Sequence, residues 1–274
     1  MSRGALMGLV VLLVAAGGFL WWRQTHRPTP MPAPTAPPPV APPPAPPPPP
    51  PPAPAIRHPV PAAAAPGGLP SLDHSDAYVK KALVDLVGRK PVSTFFRLEG
   101  AIGRFVATVN NLATDGATAD LWPVNRTPGR FETETRDGAT VPSAHNAERY
   151  APFVRFAVGI DTERAVALYV RLYPLLQHAY ENLGFPGAYL NDRVVAVIDN
   201  LLATPNVSGP IRVKRVGADG GGSAGLYLYE DPALEAATAG QKILLRMGTE
   251  NRSKLMAKLS EIRAQIAAGP PGHR

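Results

Sequence analysis

The stretch DTERAVALYVRLYPLLQHAYENL, residues 161–183, favours a helical fold because it predicts one long amphipathic helix. Its apolar residues recur every three or four positions, the spacing of one face of an α-helix. We interpret this face as a core stripe with hydroxyls at its edge, and an aromatic platform for a glycan or peptide is the alternative. Pro174 predicts a kink or a division of the helix. The face consists of Tyr169, Leu172, Tyr173, Leu176, Tyr180 and Leu183.

Most of the chain around this stretch has the same periodicity. A first helix is predicted after Ser75 and Asp76, which can cap it, and Gly88 ends it. Further helices are predicted at 94–113, 144–158, 191–202, 232–247 and 250–267.

Two short stretches have strand character instead. Residues 131–135, FETET, alternate uncharged and acidic side chains, and the turn pair Asp137-Gly138 follows, which predicts a small irregular hairpin or a surface loop. Residues 211–216 and 226–230 predict a hairpin across a glycine-rich loop. The sequence therefore predicts a mainly α fold (α+β minor), a helical globular domain with one or two small β-hairpins.

Residues 4–22, GALMGLVVLLVAAGGFLWW, contain no charged side chain. A helix needs about 20 apolar residues to cross a bilayer, and this run just meets that length. Trp21 and Trp22 stand where interfacial aromatic residues belong. A cleaved signal peptide is the alternative, but its apolar region is shorter and ends in a small-x-small site. Residues 1–27 are therefore predicted to be an N-terminal tail and a transmembrane helix.

Proline makes up more than half of residues 28–66. Consecutive prolines favour polyproline II, in which this segment spans at most about 120 Å. We interpret 28–68 as a Pro/Ala-rich disordered linker that acts as a spacer, and a ligand for an aromatic-grooved module is the alternative. The body follows at 69–268, and 269–274 is predicted to be a disordered tail.

The formal charge of +7 does not lie on the body. Residues 69–268 hold 23 of the 28 Lys and Arg and all 21 Asp and Glu, so the body carries only +2. Because a nucleic-acid surface requires a concentrated basic stripe, nucleic acid is not a predicted partner.

The positive-inside rule does not decide the orientation of the predicted membrane helix. The absence of cysteine permits an oxidising compartment, and the spacer suits a crowded envelope, so we expect a single-pass inner (cytoplasmic) membrane protein with a periplasmic body.

Two glycine motifs resemble catalytic or nucleotide-binding signatures. Residues 221–225 match G-x-S-x-G and residues 220–225 match G-x-G-x-x-G. Both motifs require a following helix, whereas a strand-like run follows here, so we interpret the stretch as a hairpin loop. The histidines are isolated and have no metal-ligand spacing, so no metal site is predicted. Those of the body are His74, His145 and His178.

Acidic and amide residues that precede predicted helices are interpreted as caps before they are considered as catalysts. Each such cap is worth about 1 kcal/mol. These residues are Asp161, Asn191, Asp192, Glu230 and Asp231. No catalytic residue and no cofactor is predicted.

Five phrases of the body stand out by their mixed chemistry. They are LPSL (69–72) followed by SD (75–76), ERYAP (148–152), YPLL (173–176) followed by AY (179–180), LGFP (183–186) and QKILLRMG (241–248). Together they resemble the bacterial family called domain of unknown function 3014, over roughly 69–266. The short anchor and the Pro/Ala-rich stalk are also similar to that family's layout. The resemblance implies a Gram-negative envelope protein and supplies no catalytic residue, substrate or cofactor.

Seven residues are candidates for a ligand-binding surface. Arg149 precedes a proline on a predicted helix, where a buried Arg–carboxylate clamp is expected. Lys242 and Arg246 lie on another predicted helix. They are expected either to bind an acidic partner or to pair with neighbouring carboxylates, and we favour the pairing. The seven are Arg149, Tyr150, Tyr173, Tyr180, Gln241, Lys242 and Arg246.

We expect the body to be a non-catalytic binding or scaffold domain whose partner is an unidentified envelope protein or peptidoglycan. The alternative is a cell-envelope hydrolase that acts on peptidoglycan or peptide. That alternative requires a polar cleft with a buried acid of perturbed pKa or a His–Ser pair.

Overall fold

Nine α-helices and two β-hairpins form the part of the chain that the structure, a computed structural model, describes: residues 55–61, 68–116, 118–216 and 226–268. The helices are α1 (Asp76–Val87), α2 (Arg89–Phe95), α3 (Ala101–Leu112), α4 (His145–Gly159), α5 (Thr162–Asn182), α6 (Leu190–Leu202), α7 (Pro232–Glu235), α8 (Ala239–Arg246) and α9 (Thr249–Ala267). The strands are β1 (Thr133–Arg136), β2 (Ala139–Pro142), β3 (Val213–Val216) and β4 (Leu226–Tyr229). The prediction of a mainly helical body with small hairpins is therefore confirmed.

Several predicted segments lie outside these residues. They are the anchor at 4–22, the linker as far as residue 54, the glycine-rich loop at 221–225 and the tail at 269–274. Among the helices that the structure does describe, none has the length and apolar character needed to cross a membrane.

Helices α3, α5, α6 and α9 form the main core, in which α3 and α9 each pack against both α5 and α6. The apolar face predicted for 161–183 provides much of this core, with Leu172, Tyr173 and Leu176 all buried. Asp161 caps α5 by accepting the N–H of Arg164 at 2.8 Å, as predicted. Helix α5 is not divided at Pro174. It continues through this residue, which is exposed on the helix surface.

The helix predicted at 94–113 is wrong in its first third. Helix α2 ends at Phe95, and α3 begins only after Gly100, which has a left-handed backbone at φ 62°. The carboxylate of Asp76 accepts the N–H groups of Gly100 and Ala101 at 2.9 and 3.3 Å. Asp76 thus caps α3, a helix distant in sequence, and the apolar periodicity runs across a break that periodicity alone does not show.

The helix predicted at 232–247 is two helices. Helix α7 is a single turn capped by Asp231, as predicted, and α8 starts at a separate cap, Thr238. The Thr238 hydroxyl accepts the N–H of Gln241, and the Gln241 side chain accepts the N–H of Thr238. This reciprocal arrangement is a capping box, whose T-x-x-Q signature was present in the sequence.

The stretch after residue 131 is a hairpin and not a surface loop. Strands β1 and β2 are antiparallel, and Asp137 and Gly138 between them have φ of 50° and 76°. Two successive left-handed residues are what the tightest hairpin turn needs. Strands β3 and β4 form the second hairpin, which packs on α7 and α8. Its small core contains Val213, Tyr229, Leu234 and Leu245.

Helix α8 joins the two cores. Leu244 belongs to the main core, and its neighbour Leu245 belongs to the small one. At Gly240 a β-carbon would lie 2.5 Å from the Leu201 side chain and 2.9 Å from the carbonyl oxygen of Leu112. Only glycine therefore lets the α8 backbone lie this close to α3 and α6.

Candidate anion-binding pocket

A pocket of about 310 Å³ lies between hairpin β1–β2, the start of α4 and the junction of α8 and α9. The segment 207–211 closes another side. No carboxylate is among the described residues that line it. Its polar lining comes from Arg136, Ser143, Asn146, Arg246, Thr249 and Arg252.

Arg252 is the most deeply buried of the three arginines, at 5 % exposed. Among the described residues, its guanidinium donates only long hydrogen bonds, at 3.5 Å to the Pro205 carbonyl and at 3.3 Å to the Asn206 side chain. Within the described residues no carboxylate forms a salt bridge with it. A buried charge without a counter-charge costs free energy, so an anion in this pocket would stabilise the site.

Arg246, one of the sequence candidates, lies on the same wall. Its guanidinium carbon lies 6.0 Å from the ring centre of Phe131 and 5.9 Å from that of Tyr229, which is cation–π distance. Its only hydrogen bond in the described structure is a long one, at 3.5 Å to the Tyr227 carbonyl. Burial raises the pKa of the Tyr229 phenol, and Arg246 only partly offsets this effect. The aromatic rings therefore orient the arginine without neutralising its charge.

Arg136 completes the basic lining from the end of β1. It pairs with Glu134 at 2.5 Å, and the two side chains are 56 % and 37 % exposed. Exposed pairs of this kind contribute little to stability and exchange easily. Arg136 is therefore available to a ligand anion at small cost.

Two helices also begin at this pocket. The N-cap residues Ala144 and Gly248 provide no capping side chain to α4 and α9, although in α4 the Ser143 hydroxyl and backbone carbonyls accept the first N–H groups. The positive end of each helix dipole adds to the field of the arginines. The wall itself is rigid, because Asn146 donates to the carbonyls of Glu132 and Ser143 at 2.7 and 2.9 Å.

Arg149 and Tyr150 do not line this pocket. The guanidinium of Arg149 donates to the backbone carbonyls of Pro128, Gly129 and Arg130. The expected Arg–carboxylate clamp is therefore wrong, because the acceptors are neutral backbone carbonyls of a loop and not carboxylates. The half-buried Tyr150 ring packs against the main core, 5.9 Å from the Arg149 guanidinium carbon.

The remaining candidates are occupied inside the body. Tyr173 and Tyr180 are 8 % and 5 % exposed, so they lie in the core and not on the surface, because their face packs against the neighbouring helices. Gln241 is also buried, where it caps α8 and donates to the Asn200 carbonyl at 2.8 Å. Lys242 pairs with Glu235 at 2.7 Å, which agrees with the structural pairing favoured from the sequence.

One serine and one histidine meet beside the pocket. Ser143 Oγ lies 3.5 Å from Nδ1 of His145, and Glu132 lies 3.4 Å from that same nitrogen. A catalytic triad needs the nucleophilic serine and the carboxylate on opposite nitrogens of the histidine ring, so this contact does not have triad geometry. The Ser143 hydroxyl instead accepts the backbone N–H of His145 in a turn.

A second such contact, at 2.9 Å between Ser71 and His74, is exposed and spans a single 3₁₀ turn. No group of three or more His, Cys, Asp or Glu within the described ranges is arranged to hold a metal ion.

Sequence reasoning identified Arg246 and missed Arg136 and Arg252. The three arginines come from β1, the end of α8 and the first turn of α9, so only tertiary packing brings Arg136 to the other two. The one available sequence signal was partial: Arg252 has no acidic residue at i±4, whereas Arg246 has Glu250 at i+4, which in the structure pairs with Lys254.

The fold and site define a helical-bundle domain with a small hairpin subcore and a basic pocket. Residues 101–263 match the family described as "Protein of unknown function (DUF3014)", which is more than half of the chain, so the chain belongs to this family. No curated protein and no solved structure matches it.

Proposed function

We propose that this chain is a single-pass membrane-anchored protein of the bacterial envelope, whose body is a non-catalytic binding domain in the periplasm. Its binding site is the basic pocket, and its ligand bears carboxylates. The observation that carries this proposal is the buried Arg252, which has no carboxylate partner in the part of the chain that the structure describes and lines the pocket together with Arg136 and Arg246.

The chemistry of the lining supports binding over catalysis. Arginine stays protonated at every physiological pH, so it does not exchange a proton with a substrate. Its planar fork of donors matches a carboxylate in a bidentate pair. A volume of about 310 Å³ is at the small end of ligand pockets and suits one acidic group with its immediate neighbours.

The acidic stem peptides of peptidoglycan are the partner that best fits both the pocket and the proposed location. They present several carboxylates within a few residues of one another, which three guanidinium groups can neutralise. The anchor predicted at 4–22 and the linker predicted at 28–68 support a body that reaches the cell wall from the inner membrane.

Titration calorimetry of the full chain in detergent micelles tests the ligand. We expect isolated muropeptides to bind, and muropeptides with amidated carboxyl groups to bind at least about tenfold more weakly, because charge-assisted hydrogen bonds are lost. Arg246→Gln should weaken binding, whereas Arg155→Gln, which removes the same charge from an exposed site on α4, should not.

Two results would contradict the proposal. Equal binding of native and amidated muropeptides would show that carboxylates are not recognised. Equal losses for Arg246→Gln and Arg155→Gln would show that only net charge matters. A reporter fused after Arg274 that is active only in the cytoplasm would separately contradict the periplasmic location.

A further inference from the structure

Residues 57–60 lie in defined contact with the body, although they fall inside the predicted linker. The carboxylate of Asp192 accepts the backbone N–H groups of Arg57 and His58, at 3.0 and 2.7 Å. The Tyr189 hydroxyl accepts the N–H of Val60 at 2.8 Å. Three backbone donors of one short segment are therefore bound by two side chains at the start of α6.

The same segment also reaches the end of α9. Asn191 donates to the carbonyl of His58 at 2.8 Å and to the carbonyl of Ile266 at 3.0 Å, so one buried amide joins the segment to α9. The ring of His58 lies 3.3 Å from the Ala267 carbonyl, and Val60 packs against the main core. The interaction combines charge-assisted hydrogen bonds with apolar contact.

These contacts correct the interpretation of Asn191 and Asp192 as helix caps. Helix α6 starts at Leu190 without a side-chain cap, and both residues lie within its first turn. Their side chains are used by residues 57–60 and by α9 instead. In sequence, a polar pair at the start of a helix resembles a cap even when its side chains bind the backbone of a different segment.

The contacts with Asp192 and Tyr189 require a four-residue pattern in the bound segment that proline-rich sequence rarely contains. It needs N–H donors at two successive residues, tolerates proline at the third and needs a donor with an apolar side chain at the fourth. Three other stretches that begin in 28–66 also have two N–H donors followed by proline: TAPP (35–38) and VAPP (40–43) have proline at the fourth position, and AAPG (64–67) has glycine there. The order Arg57-His58-Pro59-Val60 satisfies all four positions.

We propose that residues 57–60 form a clasp by which the body binds its own linker in cis at the start of α6. The clasp fixes the register at which the spacer ends, so the reach of the body is set by the residues before Arg57. The segment 62–67 then connects the clasp to α1 without contributing to that reach. The inference rests on contacts separate from the basic pocket and stands independently of its ligand.

Crosslinking of the full chain in membrane vesicles tests the clasp, and the natural chain has no cysteine that would interfere. Arg57→Cys is combined with Ala196→Cys, which lies one turn beyond Asp192 on α6. Both positions are exposed, and neither side chain takes part in the clasp. A short bis-maleimide should join them within one chain.

The matched control replaces the second cysteine with Ala203→Cys at the far end of α6, about 10 Å further along the helix. We expect several-fold less crosslinking there. Adding Asp192→Asn to the first pair should lower its rate about tenfold, because hydrogen bonds to a charged acceptor are the strong ones. Glu163→Gln, an acid in the first turn of α5, should leave the rate unchanged.

The outcomes separate the possibilities. Fast crosslinking within one chain that depends on Asp192 supports the clasp. Crosslinks between differently tagged chains in a mixed membrane would overturn it in favour of exchange between copies. Equal rates for the Ala196 and Ala203 pairs, or rates indifferent to Asp192→Asn, would overturn it in favour of an unattached linker.

Discussion

Asn191 and Arg252 are both buried polar residues, yet their surroundings are opposite. Asn191 donates to two carbonyls, accepts the Tyr169 hydroxyl at 2.9 Å and gives its backbone N–H to Tyr173. Arg252 has a full charge and, within the described ranges, only long hydrogen bonds to neutral oxygens. A buried polar group with short hydrogen bonds stabilises the fold, whereas a buried charge without a counter-charge costs free energy that an anionic ligand can recover.

Asn191→Ala should have the largest effect, because it leaves a tyrosine hydroxyl and two carbonyls without partners. At about 1–3 kcal/mol for each unsatisfied buried group, with partial relaxation, we expect a loss of about 4 kcal/mol. Urea unfolding of the full chain in detergent micelles measures it. A loss below about 1 kcal/mol would remove the contrast between the two regions.

Alkaline pH should weaken the satisfied region next. Burial raises the pKa of both Tyr169 and Tyr173, with a smaller contribution from Tyr189. Folded chains keep these protons while unfolded chains release them above about pH 10, so the stability is fully present below pH 10 and falls as pH rises.

For these two tyrosines together the loss is at most about 3 kcal/mol at about pH 11. Unfolding curves at successive pH values, with tyrosinate absorbance as the monitor, measure it. Tyr169→Phe should make the decline shallower. An unchanged decline in that variant would assign the effect to other groups.

Arg252→Met should change the unfolding free energy in the opposite direction and stabilise the body. It removes a buried charge that lacks a counter-charge while keeping a long apolar stem, so we expect a gain of about 1–2 kcal/mol in unfolding free energy and a loss of muropeptide binding. Thermal and urea unfolding, run beside calorimetry, measure both. Arg252→Lys keeps the charge and should show no gain, and destabilisation by Arg252→Met would make the residue a structural one.

Glu134→Gln should have the smallest effect and sharpens the definition of the pocket. The pair with Arg136 is exposed, so its loss should change stability by less than about 0.5 kcal/mol. Removing the competing carboxylate should tighten anion binding about twofold. Calorimetry detects this change, and weaker binding would place Arg136 outside the ligand site.

Local pattern was enough to predict the elements whose signals are local. The stripe through Leu172 and Leu176, the turn at Asp137-Gly138 and the cap at Asp161 all depend on neighbours in sequence, and all are confirmed. The continuous helix at 94–113 failed because Asp76, a distant residue, holds the break at Gly100.

The candidate site depended on packing that no local spacing encodes. Arg246 was predicted as a binding residue, but its partners Arg136 and Arg252 are brought together only by the tertiary fold. Arg149 was expected to bind a carboxylate and instead binds loop carbonyls, since a guanidinium can donate to either acceptor and the local sequence does not determine which one it meets.

The glycine at 240 has a consequence for the whole body. Because α8 rests directly on α3 and α6 at that point, and presents Leu244 and Leu245 to different cores, the small hairpin subcore has no independent boundary. Because Gly240 has no side chain, the two hydrophobic clusters lie next to each other on opposite faces of the short helix α8. The body should therefore melt in one cooperative transition, with no stage at which the pocket is lost and the bundle remains.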